Sequence, residues 1–112
     1  MSRLAELTCE ACSKGVKKLS ADEISVLMLE IKGWDLIVDG DIQQLKRVFN
    51  FKNYTEAVKF TNEVASIAES VNHHPKIILE YGSVIVIWWS HIIKGLHNND
   101  FIMADKTSQQ FE

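Results

Sequence analysis

The sequence is poor in the residues and runs that mark several protein classes. It has two cysteines, Cys9 and Cys12, spaced C-x-x-C. A structural zinc site needs two further ligands at suitable spacing, and no second pair exists. A thioredoxin-like motif follows a strand and opens a helix. This pair instead sits in polar sequence near the start, and reads as reduced thiols in an N-terminal arm over residues 1–19. Long apolar runs are missing too. The longest, Val84 to Trp89, is far too short to span a bilayer, and the first residues lack the apolar core of a signal peptide. Basic clusters are absent: Lys17-Lys18 and Lys46-Arg47 are isolated pairs in a chain of net charge −3. That excludes a strong nucleic-acid footprint. No repeat or low-complexity segment breaks the pattern. The expectation is a cytoplasmic protein that binds neither nucleic acid nor membrane.

What is present suits one domain over residues 1–112. Hydrophobic residues make up 46% and charged residues 24%, an ordinary balance for a globular fold. A domain this small buries a limited fraction of its surface, so association with a copy of itself would help.

Local signals divide the chain into seven elements. Ser20-Ala-Asp-Glu23 fits a capping box. Ile24, Leu27, Met28 and Ile31 follow on one helical face, and Gly33 is placed to end that helix. Trp34 to Val38 reads as a strand, Asp39-Gly40 as a hairpin turn, and Ile42 to Phe51 as the returning strand. Apolar parity slips between Ile42 and Leu45, which suggests a bulge. Asn53 caps a long helix reaching about Val71. That helix carries two stripes: Tyr54, Ala57, Val58, Ala65 and Ala68, then Phe60, Val64, Ile67 and Val71. One sheet needs only one stripe, so the second suggests a partner helix or a single broad core face. Pro75 ends the region. Ile77–Tyr81 and Val84–Ser90 form a hairpin around Gly82-Ser83. The second of these strands is apolar on both faces and belongs inside the sheet. A last helix runs from about Asn98 to Ser108, with Phe101, Ile102 and Ala104 inward. The predicted fold is α+β: a four-stranded antiparallel sheet with three helices on one face, in the order helix-strand-strand-helix-strand-strand-helix.

All four histidines fall between residues 73 and 97. His73 and His74 follow the long helix, with Glu69 one turn earlier and Pro75 next. His91 ends the apolar strand, and Asp100 opens the last helix. The helix end and the strand end can converge at one sheet edge. Imidazole gives and takes protons near neutral pH, which suits a reaction needing both an acid and a base. Loss of hydroxide from a carbinolamine is such a reaction: the departing oxygen gains a proton, the neighbouring N–H loses one, and a C=N bond forms. Other readings weigh against it. Three histidines can bind a metal, but adjacent side chains such as His73 and His74 point apart. A nucleophilic Cys/His pair would need the cysteines of the arm. The histidines can also be structural, as helix-end caps and a strand-end filler.

The run Glu69-Ser-Val-Asn-His73-His74-Pro75, then Tyr81, His91 and Asp100, resembles the signature of the pterin-4a-carbinolamine dehydratase family. The resemblance extends to Trp34-Asp35, the Phe49-to-Tyr54 region, Phe60-Thr61-Asn62, Trp88-Trp89-Ser90-His91, Lys94-Gly95-Leu96 and Asn99-Asp100-Phe101. Leu7-Thr8-Cys9-Glu10-Ala11-Cys12 resembles the start of bacterial members. The one departure is Ile77, where some members carry an aromatic residue.

The resemblance implies an enzyme that dehydrates 4a-hydroxytetrahydrobiopterin to the quinonoid dihydropterin, recycling pterin after an aromatic amino acid hydroxylase. It implies His74 as principal acid/base, with His73 and His91 flanking the 4a-hydroxyl. Pro75 would fix the loop, and Ser90, Ile92 and Ile93 would contact the pterin edge through their backbone. Glu69 would pair with the pterin or with a histidine. Tyr81 and Asp100 would touch the pterin or hold the walls of its site. No metal or organic cofactor is required by these residues. Sheets joined edge to edge and long helices packed together would give a homodimer or homotetramer. Animal members also serve as dimerisation cofactors of a homeodomain transcription factor, so a protein-binding module is the alternative.

Overall fold

A computed structural model describes residues 17–111. Cys9, Cys12 and most of the expected arm lie outside these residues. Seven elements follow in the expected order: α1 (Ala21–Met28), β1 (Asp35–Asp39), β2 (Ile42–Asn50), α2 (Tyr54–Val71), β3 (Lys76–Glu80), β4 (Ser83–Trp88) and α3 (Asn98–Phe111). The fold is α+β. Its sheet is antiparallel between neighbours, in the order β1-β2-β4-β3.

The capping box of α1 is present. The Ser20 hydroxyl accepts from Glu23 N–H at 3.2 Å, and the Glu23 carboxylate accepts from Ser20 N–H at 2.9 Å. The helix ends at Met28, earlier than Gly33 implied. Leu29, Glu30 and Ile31 bond back three residues instead of four, so the chain tightens into turns. Ile31 still reaches the core, at 3% exposure. Gly33, at φ +90°, then redirects the chain into β1.

Both hairpin turns sit one residue from their expected places. Asp39 pairs with Ile42, so the first loop is Gly40-Asp41, and Gly40 takes the positive φ of +64°. Glu80 pairs with Ser83, so the second loop is Tyr81-Gly82. The expected bulge in β2 is absent. Its register runs unbroken against β1 from Lys46 to Ile42 and against β4 from Leu45 to Asn50. The parity slip has a simpler cause: Leu45 faces the helices while Gln44, on the other face, is buried as well.

Leu45, Phe49, Val84, Val86 and Trp88 share the helix-facing side of the sheet. They join Ile24 of α1, Phe60, Val64 and Ala68 of α2, and Phe101, Ile102 and Ala104 of α3 in one buried core. Both stripes of α2 enter the core: Phe60 and Val64 of one and Ala57 and Ala68 of the other are buried, while Tyr54 and Ala65 remain exposed. β4 lies inside the sheet, as its apolar faces require. α3 continues to Phe111, past Ser108, because Phe111 packs on Phe49, Phe51 and Phe60 with ring centroids 5.1 to 6.0 Å apart.

This topology places the histidines. β2 ends beside the start of β4, and α2 travels back along the sheet. The end of α2, the start of β3 and the end of β4 therefore meet at one sheet end. α3 begins there too.

Candidate active site

Asn72, not Pro75, stops α2. It takes the left-handed conformation at φ +52°, and His73 N–H reaches back to Ala68 O at 3.2 Å. This is a Schellman-type ending, which asparagine tolerates better than most side chains. The turn sends the next two histidines in different directions. His73 is buried at 3% exposure, whereas His74 is exposed. Half-buried Pro75 follows and leads into β3.

Asp100, fully buried in the first turn of α3, holds His73. One carboxylate oxygen, Oδ1, lies 2.7 Å from His73 Nε2. The other, Oδ2, accepts from the Ser90 hydroxyl at 2.7 Å and from His97 N–H at 3.0 Å. An ionised carboxylate only accepts, so Nε2 of His73 carries the proton and Nδ1 is the acceptor of the neutral ring. The helix N-terminus favours this negative charge. The His73 ring also lies flat on Trp88, with centroids 5.4 Å apart and planes 17° apart. Trp88 is fixed in turn by its indole N–H, which donates to Thr107 Oγ1 at 3.0 Å.

His74 is oriented by Glu69, whose carboxylate lies 2.8 Å from Nε2. Here too an ionised carboxylate calls for the tautomer with the proton on Nε2. His91 is exposed and stacks on Trp89, with centroids 4.4 Å and planes 20° apart. Each of the two adjacent tryptophans thus carries one histidine. Residues 91–94 form a turn closed by paired backbone bonds between Ser90 and Gly95. Ile92 is exposed and Ile93 half-buried on that turn, and Lys94 holds φ +52°.

The structure therefore gathers Glu69, His73, His74, Pro75, Ser90, His91, Ile92, Ile93 and Asp100 at one end of the sheet. Tyr81 is not brought there. It sits 70% exposed in the β3–β4 turn, and β3 carries it about 17 Å away at strand rise. Sequence reasoning missed Trp88, Trp89 and His97. His97 caps α3: its Nδ1 accepts from Asn99 N–H at 3.2 Å, and Asp100, three residues on, accepts from its backbone. The spacing of a capping box was present, but histidine is not among the usual cap residues. Among the described residues, no three His, Cys, Asp or Glu side chains group as metal ligands, and no helix is long and apolar enough to cross a membrane.

The site holds a histidine pair at a helix end, one ring enclosed against a carboxylate and one exposed beside another, an arrangement chemically able to give and take protons. Comparison with known proteins gives the family. The family model described as pterin 4 alpha carbinolamine dehydratase matches residues 17–110. A protein of Nitrosococcus oceani named "Putative pterin-4-alpha-carbinolamine dehydratase" is 49% identical, over 97% of this chain and 96% of its own. The crystal structure of a transcriptional coactivator/pterin dehydratase from Brucella melitensis superposes with a TM-score of 0.79 at 29% identity, covering 86% of this chain and all of that one. A pterin dehydratase-like protein identified as a RuBisCO assembly factor in the alpha-carboxysome shares the fold, with a TM-score of 0.59 at 16% identity over 70% of this chain and 88% of its own. The chain belongs to the pterin-4a-carbinolamine dehydratase family.

Proposed function

We propose that the protein dehydrates 4a-hydroxytetrahydrobiopterin or a close relative to the quinonoid dihydropterin and water, by histidine acid/base catalysis. The observation that carries this reading is the exposed His74, oriented by Glu69 at 2.8 Å and next in the chain to the enclosed His73–Asp100 pair.

The C4a–O bond breaks and the hydroxyl leaves as water after gaining a proton. The neighbouring N–H gives up its proton as the C=N bond forms, so proton uptake and release balance. With Nε2–H held by Glu69, a neutral His74 has Nδ1 free to accept a proton and, once protonated there, to return it, which suits it to either step. His91, exposed and stacked on Trp89, supplies a second imidazole at the same end. Each well-placed proton transfer contributes about 10²- to 10⁴-fold. The natural setting is pterin recycling beside an aromatic amino acid hydroxylase in the cytoplasm.

A second reading, a protein-binding module, draws on the two apolar residues of α2 that stay open to solvent, Tyr54 and Ala65. The same exposed positions suit packing of long helices in a homotetramer. Rapid mixing of freshly generated 4a-hydroxytetrahydropterin with the protein, followed by ultraviolet absorbance, separates the two. Dehydration accelerated over buffer supports the enzyme. No acceleration by folded protein would overturn it.

A further inference from the structure

Ser90 stands immediately before His91 and is 5% exposed. Its backbone is occupied on both sides: its N–H donates to Gly95 O at 2.8 Å, and its carbonyl accepts from Gly95 N–H at 3.4 Å. The hydroxyl points the other way, into the fold, and donates to Asp100 Oδ2 at 2.7 Å. His97 N–H meets the same oxygen at 3.0 Å. Two donors on Oδ2 fix the plane of the carboxylate and so aim Oδ1 at His73 Nε2. Asp100 is fully buried, so water has little access to replace a missing donor.

The two fixed donors are not equivalent. His97 N–H belongs to the cap of α3 and moves with Asp100. Ser90 belongs to the end of β4. Its bond is the one that ties α3 to the strand end bearing His91 and, through Asp100, to the loop bearing His73.

We propose that the Ser90 hydroxyl is a positioning group for the dehydration: by holding Asp100 it sets the orientation and tautomer of His73 and the placement of His91 relative to it. This role rests on the dehydratase reading and is distinct from any backbone contact of Ser90 with the pterin. A carboxylate clamped on one oxygen presents the other at fixed angle and distance, as the outer partners of metal-bound histidines do, where their loss costs about 10- to 100-fold.

The test compares wild type with Ser90→Ala, Ser90→Cys and Ser90→Thr in the full chain. Steady-state dehydration gives kcat and KM. Nitrogen-15 NMR of the histidine side chains reports which ring nitrogen of His73 carries the proton. Alanine removes the donor, and cysteine keeps most of the volume but offers only a weak S–H donor. Both are expected to lower kcat about 10-fold with KM nearly unchanged, and to broaden or shift the His73 Nε2–H resonance. Threonine, which keeps the hydroxyl, is expected to restore both. Cysteine carries the test if alanine does not fold. Wild-type kcat and an unshifted His73 resonance in the folded alanine or cysteine variant would overturn the inference. So would a rise in KM at constant kcat, which would make Ser90 a binding group. Wild type without turnover would instead overturn the dehydratase reading and this role with it, while the resonance would still report whether Ser90 holds the His73–Asp100 pair.

Discussion

Glu69 sets a carboxylate oxygen 2.8 Å from His74 Nε2, from the last turn of the helix that delivers the histidine. Their side chains are 79% and 55% exposed. A contact so open to water contributes about 0–1 kcal/mol to stability, so its use lies in orienting the ring. Glu69→Gln is expected to leave the urea midpoint nearly unchanged while lowering turnover a few-fold. Turnover rates beside a urea titration check this. Turnover untouched by the substitution would remove Glu69 from the site.

The His73–Asp100 pair behaves in the opposite way because it is enclosed. Asp100→Ala removes the partner of His73, an acceptor for Ser90 and an arm of the α3 cap together. The expected loss is about 3 kcal/mol in urea unfolding, the scale of a broken buried pair. Activity should fall with it even at temperatures where the variant remains folded.

Buried and exposed positions of α2 give contrasting outcomes. Phe60 is 2% exposed and meets Phe49, Phe51 and Phe111, so Phe60→Ala is expected to cost about 3–5 kcal/mol. Ala65 is exposed. Ala65→Glu is expected to leave the circular dichroism spectrum and unfolding midpoint near wild type but to yield a smaller species in sedimentation velocity. An unchanged assembly would place any subunit contact elsewhere.

Helix caps carry a dependence on pH. Hydrogen bonds from the Ser20 backbone N–H and then the Ser20 hydroxyl hold the Glu23 carboxyl below its ordinary value of 4.5. A folded value below the unfolded one favours folding above pH 4.5, and this contribution is lost as pH falls through the folded value. Stability measured against pH should therefore show a small acid-side loss that Glu23→Gln abolishes. At the cap of α2, Asn53 Oδ1 accepts from Glu56 N–H at 2.9 Å, and Asn53→Ala is expected to cost about 1 kcal/mol at all pH values.

What the sequence made legible were features written in neighbouring residues. Ser20 and Glu23 announced a cap, Asn53 another, and the apolar faces of β4 its central place. Pairings set by the fold were less visible. The turn at Gly40-Asp41 depends on strand register, which residue preference alone does not decide. Ile31 reaches the core from a turn because α1 tightens after Met28, although its spacing is helical. In the site, the histidines and Asp100 stood out by residue type. Their division of labour did not, because it rests on contacts across the chain. His73 meets Asp100 from 27 residues away, and the Ser90 hydroxyl meets it from 10. Trp88 and Trp89 looked like core strand residues and prove also to be the surfaces on which His73 and His91 lie.

The most direct test of acid/base dehydration is the rate of water loss from 4a-hydroxytetrahydropterin under metal chelation, with wild type, His74→Ala and His73→Ala compared. Fast wild-type turnover that survives chelation, falls about 10²-fold or more in His74→Ala and is lowered in His73→Ala is the expected result. Equal turnover in folded wild type and His74→Ala would contradict it.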